Sequence, residues 1–138
     1  MKIPQIKGPK SHDFHDSRIV DIEISNRLDT IIIILKTPNI RNQYDNWKLT
    51  FSDVLRFEYE TRSSGIKQYE PIEIYDVYNK NNSDEFYRWQ NRLKQLEVDD
   101  RELYHIMLAS SLYAGWGKND NLYGLSIICR RIAVESYS

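Results

Sequence analysis

Residues 29–36 read D-T-I-I-I-I-L-K, with no polar residue between the four isoleucines and the leucine. Side chains alternate across a β-strand, so Ile31, Ile33 and Leu35 share one face, while Ile32 and Ile34 share the other. A strand that is apolar on both faces is typical of an inner strand with material on each side. The run is far shorter than the ~20 residues of a membrane helix. We therefore predict an inner strand covered on both faces.

The residues before this stretch predict its first neighbour in the sheet. Residues 18–25 alternate between apolar side chains (Val20, Ile22, Ile24) and polar ones, which is the pattern of a half-buried strand. Residues 26–29, N-R-L-D, have the composition of a tight turn. The two strands should form a hairpin.

The remaining strands follow from the same alternation of apolar and polar residues. Residues 47–52 and 55–59 share one pattern that is interrupted at Ser52–Asp53, which predicts two segments joined by a bend or bulge. Residues 68–78 are ambiguous between a strand and a helical lead-in. A strand is predicted over 103–113 and a loop over 114–121. The last strand, 122–137, should have a bulge near Arg130–Arg131, where its phase slips.

One amphipathic helix is predicted from Asp84 to about Val98. Asn82 or Ser83 can cap its first turn, and Asp84 and Glu85 suit the positive end of the helix dipole. Spacings of three and four residues place one apolar stripe along the helix, formed by Phe86, Trp89, Leu93 and Leu96.

Together these elements predict a mainly β (α+β) fold with an antiparallel sheet. About six strands would form a sandwich or a partly open barrel, and the helix would pack on it. The length of 138 residues indicates a single domain, 1–138, with 1–14 as a loose N-terminal segment. The pattern leaves the strand order open.

Composition narrows the class of function. Nineteen basic and 20 acidic residues give a formal charge of −1, which argues against general nucleic-acid binding. The single cysteine excludes an internal disulfide and fits a reducing compartment. No stretch has the length of a signal-peptide core or a membrane span, so we expect a cytoplasmic protein that does not enter a membrane.

The segment H-D-F-H-D at 12–16 is the most chemically suggestive motif. His12, His15 and Asp16 could bind a divalent metal or support acid–base chemistry. A metal site needs three or four ligands, and the sequence names no others. The alternative is that these residues organise the turn into the first strand. Cys129 and His105 lie in apolar strands and are not expected to form a reactive pair.

Other residues suggest a contact surface for a protein partner. Glu58 and Glu60 share a strand face and could meet a basic partner, or simply face solvent. Trp116 lies between two glycines in the predicted loop 114–121, which directly follows Tyr113. Trp116 and Tyr113 could contact a partner, or Trp116 could fold back over the sheet edge. No cofactor is expected.

The chain also resembles a class of small bacterial proteins. The pattern His15–Asp16–Ser17, residues 19–24, a short turn and residues 30–35 is followed later by residues 103–111 and by I-I-C-R-R-I-A-V-E at 127–135. This pattern resembles the uncharacterised and immunity-like proteins of Bacillus-type bacteria that are found near polymorphic toxins. The resemblance implies a cytoplasmic, non-enzymatic protein that works by binding, and it fixes no functional residues.

The sequence therefore favours a non-enzymatic protein-binding domain, in its specific form an immunity protein that blocks a cognate toxin. One alternative is a metal-dependent or small-ligand-binding protein that uses His12, His15 and Asp16. The other is a structural module that associates with itself, for example as a homodimer, through exposed strand edges.

Overall fold

The structure is a computed structural model that describes residues 6, 14–39, 41, 43–59, 72–98, 102–110 and 124–137. These residues form eight β-strands and one α-helix. In chain order the elements are β1 (Ser17–Ile24), β2 (Thr30–Pro38), β3 (Tyr44–Ser52), β4 (Arg56–Tyr59), β5 (Ile72–Asn79), α1 (Asp84–Gln95), β6 (Tyr104–Ser110), β7 (Gly124–Cys129) and β8 (Arg131–Ser136).

All described strand pairs are antiparallel, and they join in the order β4-β7-β6-β5-β1-β2-β3-β8. The predicted mainly β fold with an antiparallel sheet and one packed helix is confirmed. The strand count is eight rather than about six, because two long strands are each divided by a bend. β3 continues almost directly into β4, and β7 into β8.

These two bends lie side by side and turn the sheet through a corner. Asp53, between β3 and β4, has a positive φ of 51°, and Arg130 separates β7 from β8. Hydrogen bonds continue across the corner, from Arg130 N to Ser52 O at 3.3 Å and from Leu55 N to Ile128 O at 2.8 Å. The predicted break at Ser52–Asp53 and the predicted slip near Arg130–Arg131 are both confirmed.

The core lies on the inner side of the two halves of the sheet. One half contains β1, β2, β3 and β8, the other contains β4, β6 and β7, and β5 pairs with both β1 and β6. The stretch 68–78, ambiguous in sequence, thus contributes a strand that links the halves. The main core cluster draws its buried side chains from both halves, including Ile31, Ile33, Leu35, Leu49, Phe51, Ile106, Leu108, Leu125, Ile127 and Cys129.

The central strand β2 is an inner strand, as predicted, between β1 and β3. Ile31, Ile33 and Leu35 are fully buried. The prediction that its second face is also covered needs correction, because Ile32 and Ile34 are only half-buried and belong to neither core cluster. The residues paired with these isoleucines on the neighbouring strands are polar, namely Asp21 and Glu23 on β1 and Lys48 and Thr50 on β3.

The predicted β1–β2 hairpin is confirmed. Its turn is closed by hydrogen bonds from Ser25 N to Thr30 O and from Leu28 N to Ser25 O, each 2.9 Å. Leu28 adopts a positive φ of 61°, a conformation that a leucine takes only when the flanking strands impose it.

Helix α1 begins with the predicted cap, because the Ser83 side chain accepts a hydrogen bond from Phe86 N. Phe86 and Leu93 are buried with Leu103 and Ile128 on the outer side of the β4–β6–β7 half. Leu96 departs from the predicted stripe. The helix ends at Gln95 instead of near Val98, so Leu96 becomes the C-cap residue and is exposed.

Parts of the N-terminal segment lie in the core. The side chains of Ile6 and Phe14 are buried in the main cluster, and the other residues of 1–13 lie outside the described residues. With 12 residues, α1 falls short of what a membrane-crossing helix requires, and the described ranges contain no helix that meets that requirement.

Candidate functional site

The outward side of β1, β2, β3 and β8 forms a four-stranded surface, which we call the open face. Residues opposite one another on paired strands point to the same side of a sheet. One row across this face therefore contains Asp21, Ile34, Lys48 and Glu135, which are paired in that order. The next row contains Glu23, Ile32, Thr50 and Ala133.

The open face combines apolar residues with charges of both signs. Ile32 and Ile34 lie near its middle, and Tyr44 at one end has 46% of its surface exposed. The Lys36 ammonium lies 5.3 Å from the centre of the Tyr44 ring, within cation–π range. Acidic side chains of β1 and β8 lie at the two lateral margins. This pattern, apolar and aromatic residues within a charged rim, is typical of a protein-contact surface.

A second polar cluster lies on the outer side of the other half, where α1 meets the sheet. His105 of β6 is nearly fully buried, and both of its ring nitrogens are bonded. Its Nδ1 is 2.6 Å from Ser83 Oγ, and its Nε2 is 2.7 Å from Ser126 Oγ. The imidazole thus connects the first turn of α1 to β7.

The backbone of His105 is held by the loop that precedes α1. Its N–H donates to Asn81 Oδ1 at 2.9 Å, and its carbonyl accepts from Lys80 N at 2.7 Å. Asn81 Nδ2 also donates to the Leu103 carbonyl at 3.4 Å. These hydrogen bonds attach residues 80 and 81 to the edge of β6, just before the N-cap residue of α1.

Burial lowers the pKa of His105 below its ordinary value of 6.5. Glu85 opposes this effect, whereas Lys80 and Arg56 lower the pKa further. The ring is consequently neutral at pH 7. One nitrogen then donates to a serine and the other accepts from a serine, and both hydroxyl groups can take either role.

A neutral histidine within hydrogen-bond distance of a serine is also the arrangement that activates a nucleophile. Here the surroundings oppose that chemistry. Both ring nitrogens of His105 are already bonded to serines, and the residue is buried, so little of the imidazole is accessible to a substrate. The geometry is that of a structural link between the helix cap and the sheet.

Charged residues flank this link. The Arg56 guanidinium forms an ion pair with Glu85 of α1, and its Nη2 donates to Glu58 Oε2 at 2.8 Å. Glu58, predicted as a partner-contact residue, is therefore engaged with Arg56 while remaining exposed. Glu60, Tyr113 and Trp116 lie outside the described residues.

The histidines predicted as metal ligands have a different setting. His15 and Asp16 are exposed in the turn before β1, with His15 Nε2 3.4 Å from Asp16 Oδ2. Ser17 Oγ, which is buried, donates to the Phe14 carbonyl at 2.6 Å and organises this turn. His12 lies outside the described residues. Within the described ranges, no three His, Cys, Asp or Glu residues are grouped to hold a metal, and the metal hypothesis stays a prediction.

Cys129 and His105 do not meet. Tyr104 is the residue opposite Cys129, and His105 is opposite Ile128, so the thiol and the imidazole lie on opposite sides of the sheet. Burial raises the pKa of the Cys129 thiol to about 12. The thiol therefore behaves as a small buried hydrophobic group.

The corner of the sheet contains a cleft of about 430 Å³. Two adjacent arginines, Arg130 and Arg131, both line it because the bend interrupts the alternation of side chains. Arg131 Nε donates to Asp53 Oδ2 at 3.0 Å, and Glu102 also lines the cleft. The lining thus contains an acidic as well as two basic side chains, and Arg131 is already bonded to Asp53.

Sequence reasoning missed the open face and the link at His105. The alternation of Asp21 and Glu23 with apolar residues indicated an exposed side of β1. The run of isoleucines in β2 predicted instead that both of its sides are covered, so its exposed side was missed. Ser83 was predicted only as a cap, and Ser126 gave no signal.

No protein-family model and no curated protein matches the chain. Among solved structures, the chain is similar to one described as "an uncharacterized protein from Neisseria gonorrhoeae". The two share 14% sequence identity with a TM-score of 0.52, and the match covers 88% of this chain and 92% of the other. At this identity the likeness concerns the fold alone.

Proposed function

We propose that this protein is a non-catalytic binding domain that contacts a protein partner through its open face. The observation that carries the proposal is the half-exposed pair Ile32 and Ile34, together with the exposed Tyr44, on a four-stranded face rimmed by charges of both signs. Apolar and aromatic groups inside a polar rim supply the affinity and specificity of protein interfaces.

In its specific form the proposal is that of an immunity protein. Such a protein works in the cytoplasm by occluding the active site of a toxin, and it needs a rigid contact surface rather than catalytic groups. The open face suits this role because it is built on paired strands. A rigid surface loses little conformational entropy on binding.

The proposal is tested with each protein encoded next to the gene for this chain, taken as a candidate toxin and used as a catalytically inactive variant. Isothermal titration calorimetry should show one-to-one binding. Tyr44→Ala should weaken that binding by about 1–2 kcal/mol, because an exposed tyrosine at an interface is a frequent energetic hot spot.

Tyr87→Ala is the matched control. Tyr87 of α1 has 49% of its surface exposed, close to the value for Tyr44, but it lies on the helix, away from the open face. Its removal should leave the affinity unchanged. Equal effects of the two substitutions would contradict the open face as the contact surface, and absence of any complex with the wild-type chain would contradict the function.

A further inference from the structure

The outer sides of the two half-sheets are covered differently. Helix α1 covers the outer side of the β4–β6–β7 half, where it buries Phe86 and Leu93. The open face is the outer side of the other half, and the described part of the chain has no second helix to cover it. Because a sheet face with apolar residues is stabilised when another element packs on it, the open face can receive such an element from another molecule.

The apolar residues of the open face form a stripe along β2. Ile32 and Ile34 are about 6.8 Å apart along the strand, close to the ~6 Å between residues four apart on a helix. Exposed Tyr44 extends the stripe, because it is paired with Pro38 at the end of β2. From Ile32 to Tyr44 the stripe is about 20 Å long, which is the length of a helix of about 13 residues.

Charged residues border this stripe on both sides. On β1, Asp21 and Glu23 are the register partners of the two isoleucines, and both carboxylates are exposed. On β3, Lys48 is the register partner of Ile34. Neighbouring strands are about 4.8 Å apart, so the two borders are about 10 Å apart. This width matches the diameter of a single helix, about 10–12 Å.

The two borders differ in the balance of their charges. Lys48 on β3 is paired with Glu135 on β8, so opposite charges lie next to each other there. Asp21 and Glu23 have no basic register partner on β2, and within the described part of the chain neither forms an ion pair. The β1 border therefore presents two carboxylates to which a basic partner is complementary.

We propose that the open face binds an amphipathic α-helix of the partner protein, which lies along β2 with basic residues on the flank over β1. This inference rests on the proposed function and specifies the element and the charge of the partner. Apolar side chains at helical spacing pack on Ile32, Ile34 and Tyr44, as in complexes where a helix occupies an apolar groove. Lys or Arg side chains on one flank meet Asp21 and Glu23.

A second copy of this chain fits the open face poorly. Helix α1 cannot be the occupant, because its apolar residues are already buried against its own sheet. If two open faces met about a two-fold axis along or across the strands, β1 of one copy would lie over β8 or β1 of the other. Asp21 and Glu23 would then approach Glu135, or each other, and like charges across an interface are unfavourable. The occupant that fits is a different protein.

The probe is a capped synthetic peptide of about 18 residues, long enough for about five helical turns. It carries leucine at positions i, i+4, i+7 and i+11, lysine on one flank, and alanine and glutamine elsewhere. Amide NMR shifts of the full chain locate the bound peptide, and circular dichroism measures its helix content.

We expect shift changes centred on residues 21–23, 32–36 and 44, a rise in helix content on binding, and an affinity that falls as salt rises. A peptide with glutamate in place of lysine should bind at least about tenfold more weakly. Absence of lysine-peptide binding, an unchanged helix content, or shift changes located elsewhere would overturn the proposal.

The double variant Asp21→Lys/Glu23→Lys should reverse the preference between the two peptides. Its matched control is Glu97→Lys/Glu102→Lys, which makes the same change in total charge at two exposed acidic residues between α1 and β6. The control should bind the lysine peptide within about twofold of wild type, because surface charges distant from the site are screened by salt. Equal loss in both double variants would show general electrostatic attraction and overturn the proposal.

The same variants separate this inference from the proposed function. If a candidate partner binds the wild-type chain and the Asp21→Lys/Glu23→Lys variant equally well, the helix inference fails while the binding function stands. Sedimentation equilibrium of the wild-type chain and of Ile32→Thr/Ile34→Thr gives the remaining outcome. A wild-type dimer that is lost in this second variant would assign the open face to a second copy and overturn the choice of occupant.

Discussion

Ser83 performs two tasks with one hydroxyl group. It accepts the hydrogen bond from Phe86 N that caps α1, at 3.0 Å, and it is bonded to His105 Nδ1. The helix cap is thereby attached to β6, and through His105 to Ser126 of β7. Removing the hydroxyl leaves a backbone donor and a buried ring nitrogen without their partner, and each loss has its own cost.

We therefore expect Ser83→Ala to lower the free energy of unfolding by about 2–3 kcal/mol, more than the ~1 kcal/mol typical of a cap alone. Urea denaturation monitored by circular dichroism measures it. Ser83→Thr, which keeps the hydroxyl, is the control and should recover most of the stability. A loss of ~1 kcal/mol or less in Ser83→Ala would show that the bond to His105 contributes nothing.

The lowered pKa of His105 makes stability depend on pH in a defined direction. Above pH ~6.5 the ring is neutral in both the folded and the unfolded chain, so it adds no pH dependence. Below that value the unfolded chain binds a proton that the folded chain resists. The free energy of unfolding should therefore fall as the pH drops from 6.5 toward the lower folded-state pKa.

The contribution of His105 is isolated by comparison with His105→Gln, which has no titrating ring. Urea denaturation at about pH 7.5 and about pH 5.5 should show a larger loss of stability in the wild-type chain than in the variant. The two proteins share every other titratable group, so the difference between their losses isolates the ring of residue 105. Equal losses in the two proteins would contradict a lowered pKa.

At the scale of elements, α1 shows how tertiary packing decides which residues of a periodic stripe are buried. Leu93 and Leu96 belong to the same predicted stripe, yet Leu93 is buried and Leu96 is exposed. The helix ends between them, and Glu97 then takes a positive φ of 58° that directs the chain away. Hydrophobic spacing alone does not reveal where a helix stops.

Leu93→Ala should consequently lower the free energy of unfolding by about 2–4 kcal/mol, because it leaves a cavity between α1 and the sheet. Leu96→Ala is the matched substitution, and we expect it to change stability by no more than about 0.5 kcal/mol. Thermal and urea denaturation of both variants provide the comparison. Similar losses would mean that Leu96 is packed in solution.

The confirmed predictions concern features that are determined by residues close together in the sequence. The turn at residues 26–29, the cap at Ser83 and the interruption at Ser52–Asp53 all depend on neighbouring residues, which the sequence displays directly. The link at His105 depends on strand order, because the ring bonds Ser83, 22 positions earlier in the chain, and Ser126, 21 positions later. The exposure of Ile32 and Ile34 likewise depends on which face the helix covers, and α1 covers the other half of the sheet.

At the scale of the whole molecule, the bends join two half-sheets around one core. Cys129 lies at the end of β7, next to the corner, with its side chain in the main cluster and no exposed surface. It is the single cysteine of the chain. Reagents can reach its thiol only if the corner opens. The rate at which the thiol reacts therefore measures how often the two half-sheets separate.

We expect Cys129 to resist Ellman's reagent in the native protein. With a pKa of about 12, the thiol is about one part in ten thousand thiolate at pH ~8, and the core excludes the reagent. Because the core cluster spans both halves, the corner should open only with global unfolding. The labelling rate across urea concentrations should therefore follow the free energy of unfolding measured by circular dichroism.

The control places a thiol on the surface, with Asn91→Cys on the exposed side of α1 in a Cys129→Ala background. That thiol should react at the rate of the unfolded chain, because neither burial nor a raised pKa protects it. If Cys129 instead reacts much faster than global unfolding permits, the two halves separate locally at the corner. Their shared core would then not form one cooperative unit.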